Sequence, residues 1–439
     1  MKLKQILLTS AVGFGLSASI AAADAHGTTI TIATVNNGDM IRMQGLTEDF
    51  NAKHPGINVE WVTLEENVLR QNLTTDISTG GGAYDVMTIG TYEVPIWANN
   101  GWLVSLNEGM ADDYNKDDLL PAIAGGLTVD GELYASPFYG ESSMVMYRTD
   151  LMEKAGLEMP DAPTWTFIRE AAAAMTDRAN DINGICARGK AGWGENGAFL
   201  TAMSNSFGAR WFDEDWNAQF DSPEWADTLS FYLDMMNESG PAGAANNGFN
   251  ENLTLFQQGK CGMWIDATVA ASFVTGADST VADKVGFALA PDNGLGKRGN
   301  WLWAWSLAIP SSSEKQDAAK TFISWATGPA YAELVAGNEG WANVPPGTRT
   351  SLYENADYLA AAPFAKMTLE SILAADPTNP TVKPVPYTGV QFVAIPEFAG
   401  IANQVGQQFS DALAGNQTAE QALANAQELT TEEMEAAGY

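Results

Sequence analysis

Thr29-Ile-Thr-Ile-Ala-Thr-Val35 alternates as a strand, and the turn cluster Asn36-Asn-Gly-Asp39 then opens a run with Met40, Met43, Leu46 and Phe50 at helical spacing. His54-Pro-Gly56 stops that run. Residues 58–63 then read as a strand, 65–77 as an amphipathic helix, and Tyr84-Asp-Val-Met-Thr-Ile89 as a strand again. Strict alternation of β and α predicts an α/β protein with parallel sheets and helices on both faces. Ligands of such sheets lie beyond the carboxyl ends of the strands. Asn36, Asn37, Tyr92 and Glu93 therefore stand at a candidate binding mouth.

A chain of 439 residues exceeds one ordinary core and fits two lobes. Its 54 acidic residues against 22 basic ones give a formal charge of -32, a field that repels nucleic acid and anionic lipid surfaces. Lys2 and Lys4, the uncharged stretch from Ile6 to Ile20, and small residues up to Ala23 or Ala25 form a signal-peptide pattern over 1–25, so export to a periplasm is expected. Two histidines, His26 and His54, are too few for a His-rich metal site, and no metal or other cofactor is expected. In an oxidising compartment Cys186 and Cys261 could pair, but sequence does not fix the distance between them.

Asn300-Trp-Leu-Trp-Ala-Trp-Ser-Leu-Ala-Ile-Pro310 is the densest aromatic stretch. In a strand Trp301, Trp303 and Trp305 share a face, a wall suited to the C–H face of a sugar or polyol. Trp305 runs into apolar residues and is weighted towards the core. The Gly-rich stretch Arg188-Gly-Lys-Ala-Gly-Trp-Gly-Glu-Asn196 lacks phosphate-loop spacing and reads as a loop bringing Trp193 and Asn196 to a ligand. In Met263-Trp-Ile-Asp266, Trp264 and Asp266 share a face, and an acid closing an apolar strand must be hydrogen-bonded. A later loop carries Trp341 and Arg349. Capping boxes are expected at Ser311/Glu314 and Thr418/Gln421.

Several stretches in order resemble the family 1 extracellular solute-binding proteins of ABC importers, the group that includes maltose-binding protein. They are Tyr84-Asp-Val-Met87 with Asn100-Gly-Trp-Leu-Val-Ser-Leu106, Leu133-Tyr-Ala-Ser-Pro137 with Met146-Tyr-Arg-Thr-Asp150, Pro163-Thr-Trp165, Phe256-Gln-Gln-Gly-Lys260, and Ser306-Leu-Ala-Ile-Pro310. Residues 188–196, 263–266 and 301–305 look most like the mannitol/sorbitol-binding subgroup. The resemblance implies a two-lobe periplasmic binding protein fold of type II, with a ligand cleft between lobes joined by several hinge crossings. The expected division is 26–140 plus 306–348 for the first lobe and 141–305 plus 349–439 for the second. It implies ligand contacts at Asn36, Asn37, Tyr92, Glu93, Glu141 and Asp266. Where the family stacks a tryptophan on maltose this chain has Val269, so stacking falls to Trp193, Trp264 or Trp303.

A polyol offers hydroxyls that both donate and accept, and little apolar surface. Glu141, Asp266, Arg349, Asn36 and the tryptophans supply the acceptors, donors and walls it needs. The reading is a monomeric, non-catalytic receptor that binds a sugar alcohol and delivers it to an ABC permease. Its alternatives are a binder of a mono- or short oligosaccharide and a secreted glycoside hydrolase with Glu141 and Asp266 as its carboxylates.

Overall fold

The computed structural model describes residues 27–439; the expected signal segment, 1–25 with cleavage near Ala23 or Ala25, lies outside the described residues. The first strand, β1 (Thr28–Val35), pairs in parallel with β2 (Ile57–Leu64) and with β3 (Val86–Ile89). Between β2 and β3 the helix Glu66–Thr79 buries Leu69, Leu73 and Ile77, one per turn, against this sheet. Each such side chain contributes about 1.5–3 kcal/mol when fully buried. The helix starts where the Glu65 carboxylate accepts from the Asn67 amide and stops at left-handed Gly80.

Beyond a short hairpin of β4 (Thr128–Val129) and β5 (Glu132–Leu133), β6 (Ala135–Glu141) lies at the far edge of the first sheet. The chain then crosses at Ser142 into the second sheet, built from β7 (Ser143–Arg148), β8 (Asn183–Cys186), β9 (Cys261–Ala267) and β10 (Val285–Leu289). It returns through 300–302 to β11 (Trp303–Ala308), which sits between β3 and β6, antiparallel to both. The strand orders are β2-β1-β3-β11-β6 and β10-β7-β9-β8.

The sheets are therefore mixed, not parallel throughout. β1 to β3 are joined by helices within one lobe and run towards the cleft. β11 enters from the other lobe, so it starts at the cleft and runs away from it. The same pairings correct three expected boundaries: Glu141 and Trp303–Trp305 lie in strands of the first sheet, and Arg349 bridges Leu119, also of the first lobe.

Cys186 and Cys261 are disulfide-bonded, their Cα atoms 5.8 Å apart. The Thr418/Gln421 capping box forms. The expected Ser311/Glu314 box does not, because the helix begins only at Gln316, and Ser313 instead hydrogen-bonds Asp85.

Candidate functional site

The antiparallel pair β6–β11 sets Trp303 opposite Glu141 and Trp305 opposite Tyr139. All four side chains, with Trp301, line a narrow cavity of about 30 Å³ between the lobes. Trp303 and Trp305 meet edge to face with centroids 5.5 Å apart. Trp305 is thus part of the wall and not only of the core. Gly90, after β3, gives Trp303 its seat: a Cβ there would stand 2.0 Å from the indole.

Two guanidiniums close the cavity. Arg70, from the helix Glu66–Thr79, donates to Glu66 Oε1 at 3.0 and 2.9 Å and pairs with Glu93 at 2.5 Å. Its Cζ lies 4.0, 5.0 and 4.7 Å from the rings of Trp193, Trp303 and Trp305, so the cation fills an indole cage. Arg188 donates to both oxygens of Asp266 and to the Gly194 carbonyl at 2.7 Å, and it lies against the rings of Phe249 and Trp301.

Two carboxyl groups at the site, Glu141 and Glu195, are pushed towards their neutral forms. Burial holds Glu141 well above its ordinary range, opposed by Arg188 and reinforced by Asp266. Burial also drives Glu195 up to about 8 against the pull of Arg188. The Trp303 Nε1–H is buried without a hydrogen-bond partner among the described residues, and Glu141 beside it feels only the charges of Arg188, Asp266 and other neighbours. Tyr139 accepts from Asn37 Nδ2 at 2.8 Å and keeps its own proton for a further acceptor.

Of the residues singled out from sequence, Asn37, Glu141, Trp193, Trp301 and Trp303 come together on this cavity. The others lie elsewhere. Asn36 accepts from Asn250 of the second lobe across the rim at 3.3 Å. Tyr92 and Glu93 line an outer crevice; the Tyr92 hydroxyl bonds the backbone at Ile395, Pro396 and Ala399. Asn196 is spent on the Gly406 carbonyl at 2.8 Å.

Asp266 stands behind the wall. It is fully buried and takes bonds from Arg188, from the Trp264 indole at 3.0 Å and from the Ala267 amide. Trp264 is also fully buried, among Phe249 and Phe256, and serves to hold Asp266, not to stack. Arg349 and Trp341 belong to a separate pocket of the first lobe. There Arg349 donates to the Asn115 and Thr327 carbonyls and pairs with Asp118, because its segment is still bonded to that lobe.

Glu66, Arg70, Tyr139, Arg188 and Gln391 line the cavity without having been chosen as site residues. Arg188 opens the Gly-rich stretch and was visible in it. Glu66 and Arg70 read as an ordinary i,i+4 pair on a helix, and nothing local marks them.

The lobes meet around the cavity. Lys190 of the second lobe pairs with Glu65 of the first at 2.6 Å, and Asn67 donates to the Ala191 carbonyl at 3.1 Å. Two α/β lobes with an indole-walled cavity between them, carrying carboxyl and guanidinium groups, define a periplasmic binding protein of the two-lobe type. Residues 37–333 match the model of the bacterial extracellular solute-binding protein family, and the chain belongs to that family.

The chain is 56% identical over 412 residues, 94% of each chain, to the mannitol-binding protein of Pseudomonas aeruginosa. It superposes with a TM-score of 0.93 on an ABC transporter solute-binding protein from Agrobacterium vitis S4 holding D-mannitol, at 70% identity over 94% of this chain and 100% of that one. A solute-binding protein from Agrobacterium radiobacter K84 in complex with ribitol gives 0.82 at 24% identity, over 93% and 99%, a likeness of fold.

Proposed function

We propose that this chain binds a six-carbon sugar alcohol, D-mannitol or a close stereoisomer, and delivers it to the permease of an ABC importer. The carrying observation is the cross-strand pair Trp303 and Glu141: an indole donor, buried with no partner among the described residues, and a carboxyl group side by side on one cavity wall. A hydroxyl both accepts and donates, so it can serve both at once. Tyr139 and Asn37 offer a second such set. Ligands lacking these hydroxyls would leave buried groups unpaired, and that is the source of selectivity. The relatives that hold mannitol support the choice of a hexitol.

Ligand contacts with both lobes favour the closed form to the extent that the ligand binds it better than the open one. The functional unit we infer is a monomer, since one chain carries the whole cavity. It works in the periplasm after removal of the segment ending near Ala23 or Ala25. Calorimetry of the secreted protein with mannitol, sorbitol, ribitol, mannose and maltose tests the reading. Tight binding of a hexitol is expected, whereas a response to maltose and to no polyol rejects it. Sedimentation and N-terminal sequencing check the monomer and the cleavage point.

A further inference from the structure

On the far side of Trp193 from the inner cavity lies a second space between the lobes. This crevice of about 540 Å³ is lined by Thr74, Thr75, Tyr92, Gly400 and Asn403 among others. Several of these residues are exposed, so the crevice opens to solvent. Its lining and that of the inner cavity share two residues, Arg70 and Trp193. The two spaces are neighbours across a wall one guanidinium and one indole thick.

We infer that Arg70 and Trp193 form a partition that sets the length of the ligand, and that a second sugar unit, were the partition absent, would lie in the outer crevice. This rests on the reading of the inner cavity as a hexitol site. The partition is held from both lobes. Arg70 cannot swing aside without leaving Glu66 and Glu93, both buried, without their cation. Trp193 is fixed by its amide bond to Asn403 Oδ1 at 2.8 Å and by the rings of Tyr92 and Phe398, 5.0 and 6.0 Å away. The two halves lock where the guanidinium lies 4.0 Å over the indole.

Such a wall admits an open six-carbon chain and rejects the same chain carrying a glycosyl group at the end facing Trp193. The discriminating chemistry is size, since the outer crevice itself presents Thr74, Thr75, Asn403 and Gln407 to hydroxyls.

The test uses the full-length mature protein, its Trp193→Ala and Arg70→Ala variants, and two probes, D-mannitol and 1-O-α-D-glucopyranosyl-D-mannitol, titrated calorimetrically. Wild type should bind mannitol and show at least 100-fold weaker binding of the glucosyl-mannitol. In at least one variant the ratio of glucosyl-mannitol to mannitol affinity should rise tenfold or more. Wild type binding both ligands equally overturns the inference, as does an unchanged ratio in both variants. Mannitol affinity itself should fall in both variants, because both side chains also line the inner cavity; the affinity ratio is the readout, and a ratio that rises in neither variant overturns the inference. Failure of wild type to bind mannitol is a different result: it rejects the proposed function itself.

Discussion

Asp266 grips the Arg188 guanidinium with both carboxylate oxygens, Oδ1 at 2.7 Å from Nη2 and Oδ2 at 3.0 Å from Nε, and both side chains are buried. The acid that closes β9 acts on the cavity through the arginine it presents. Removing one member of a buried pair costs about 3–5 kcal/mol, because the other charge is stranded. Asp266→Ala should lower unfolding stability by about that much and weaken mannitol binding together with it. Urea unfolding with and without ligand measures both; a variant as stable as wild type removes Asp266 from this role.

Glu195 predicts a pH dependence. Its carboxyl is raised to about 8 in the folded protein, whereas in the unfolded chain it ionises near ~4.3. Between these values the folded state holds a proton that the unfolded state has released, so stability falls as pH rises. The contribution is complete below the unfolded value and gone above about 8. Asp39, raised to about 6 by burial, adds to the slope in the lower part of the window. Glu195→Gln should flatten the decline between pH 5 and pH 8 in chemical unfolding curves, and an unchanged slope would remove Glu195 as its source.

Gly194 predicts a defect confined to closure. A Cβ on this second-lobe residue would stand 1.9 Å from Glu66 Oε1 of the first lobe. That clash exists only when the lobes are together. Gly194→Ala should weaken mannitol binding at least tenfold while leaving the thermal transition of the ligand-free protein close to that of wild type. Equal affinity of the two proteins would show that closure does not bring these groups into contact.

The Lys190–Glu65 pair crosses the cleft with both side chains partly exposed, 28% and 35%. Pairs of this kind contribute about 0.2–1 kcal/mol, and this one contributes only to the closed form. Lys190→Ala should therefore weaken binding by up to about fivefold at low salt, and the difference from wild type should shrink at 1 M salt, where the Debye length is about 3 Å. A difference that persists at high salt would point to packing instead.

The limits of the sequence reading follow from how far each partner lies along the chain. Asp266 stood out because an acid ending an apolar strand needs a donor. That donor, Arg188, comes from a loop 78 residues away, so the sequence marked the need and not the partner. Trp193 was drawn from a Gly-rich loop, and Trp303 from its period-two row. Arg349 was misplaced because a cation in a loop can be satisfied by backbone carbonyls, here those of Asn115 and Thr327. In the sequence Arg70 carries no mark beyond its i,i+4 spacing from Glu66. Only the approach of the second lobe buries it under Trp193.

By itself the sequence determined the α/β alternation, the two-lobe size, the indole row and the family motifs, because local periodicity and composition carry these. The tertiary structure decided which carboxyl groups face the cavity, that β11 runs against β3, and that Arg70 and Trp193 meet. Those outcomes depend on two lobes closing upon each other, and contacts made across a cleft leave no periodic trace in either segment that makes them.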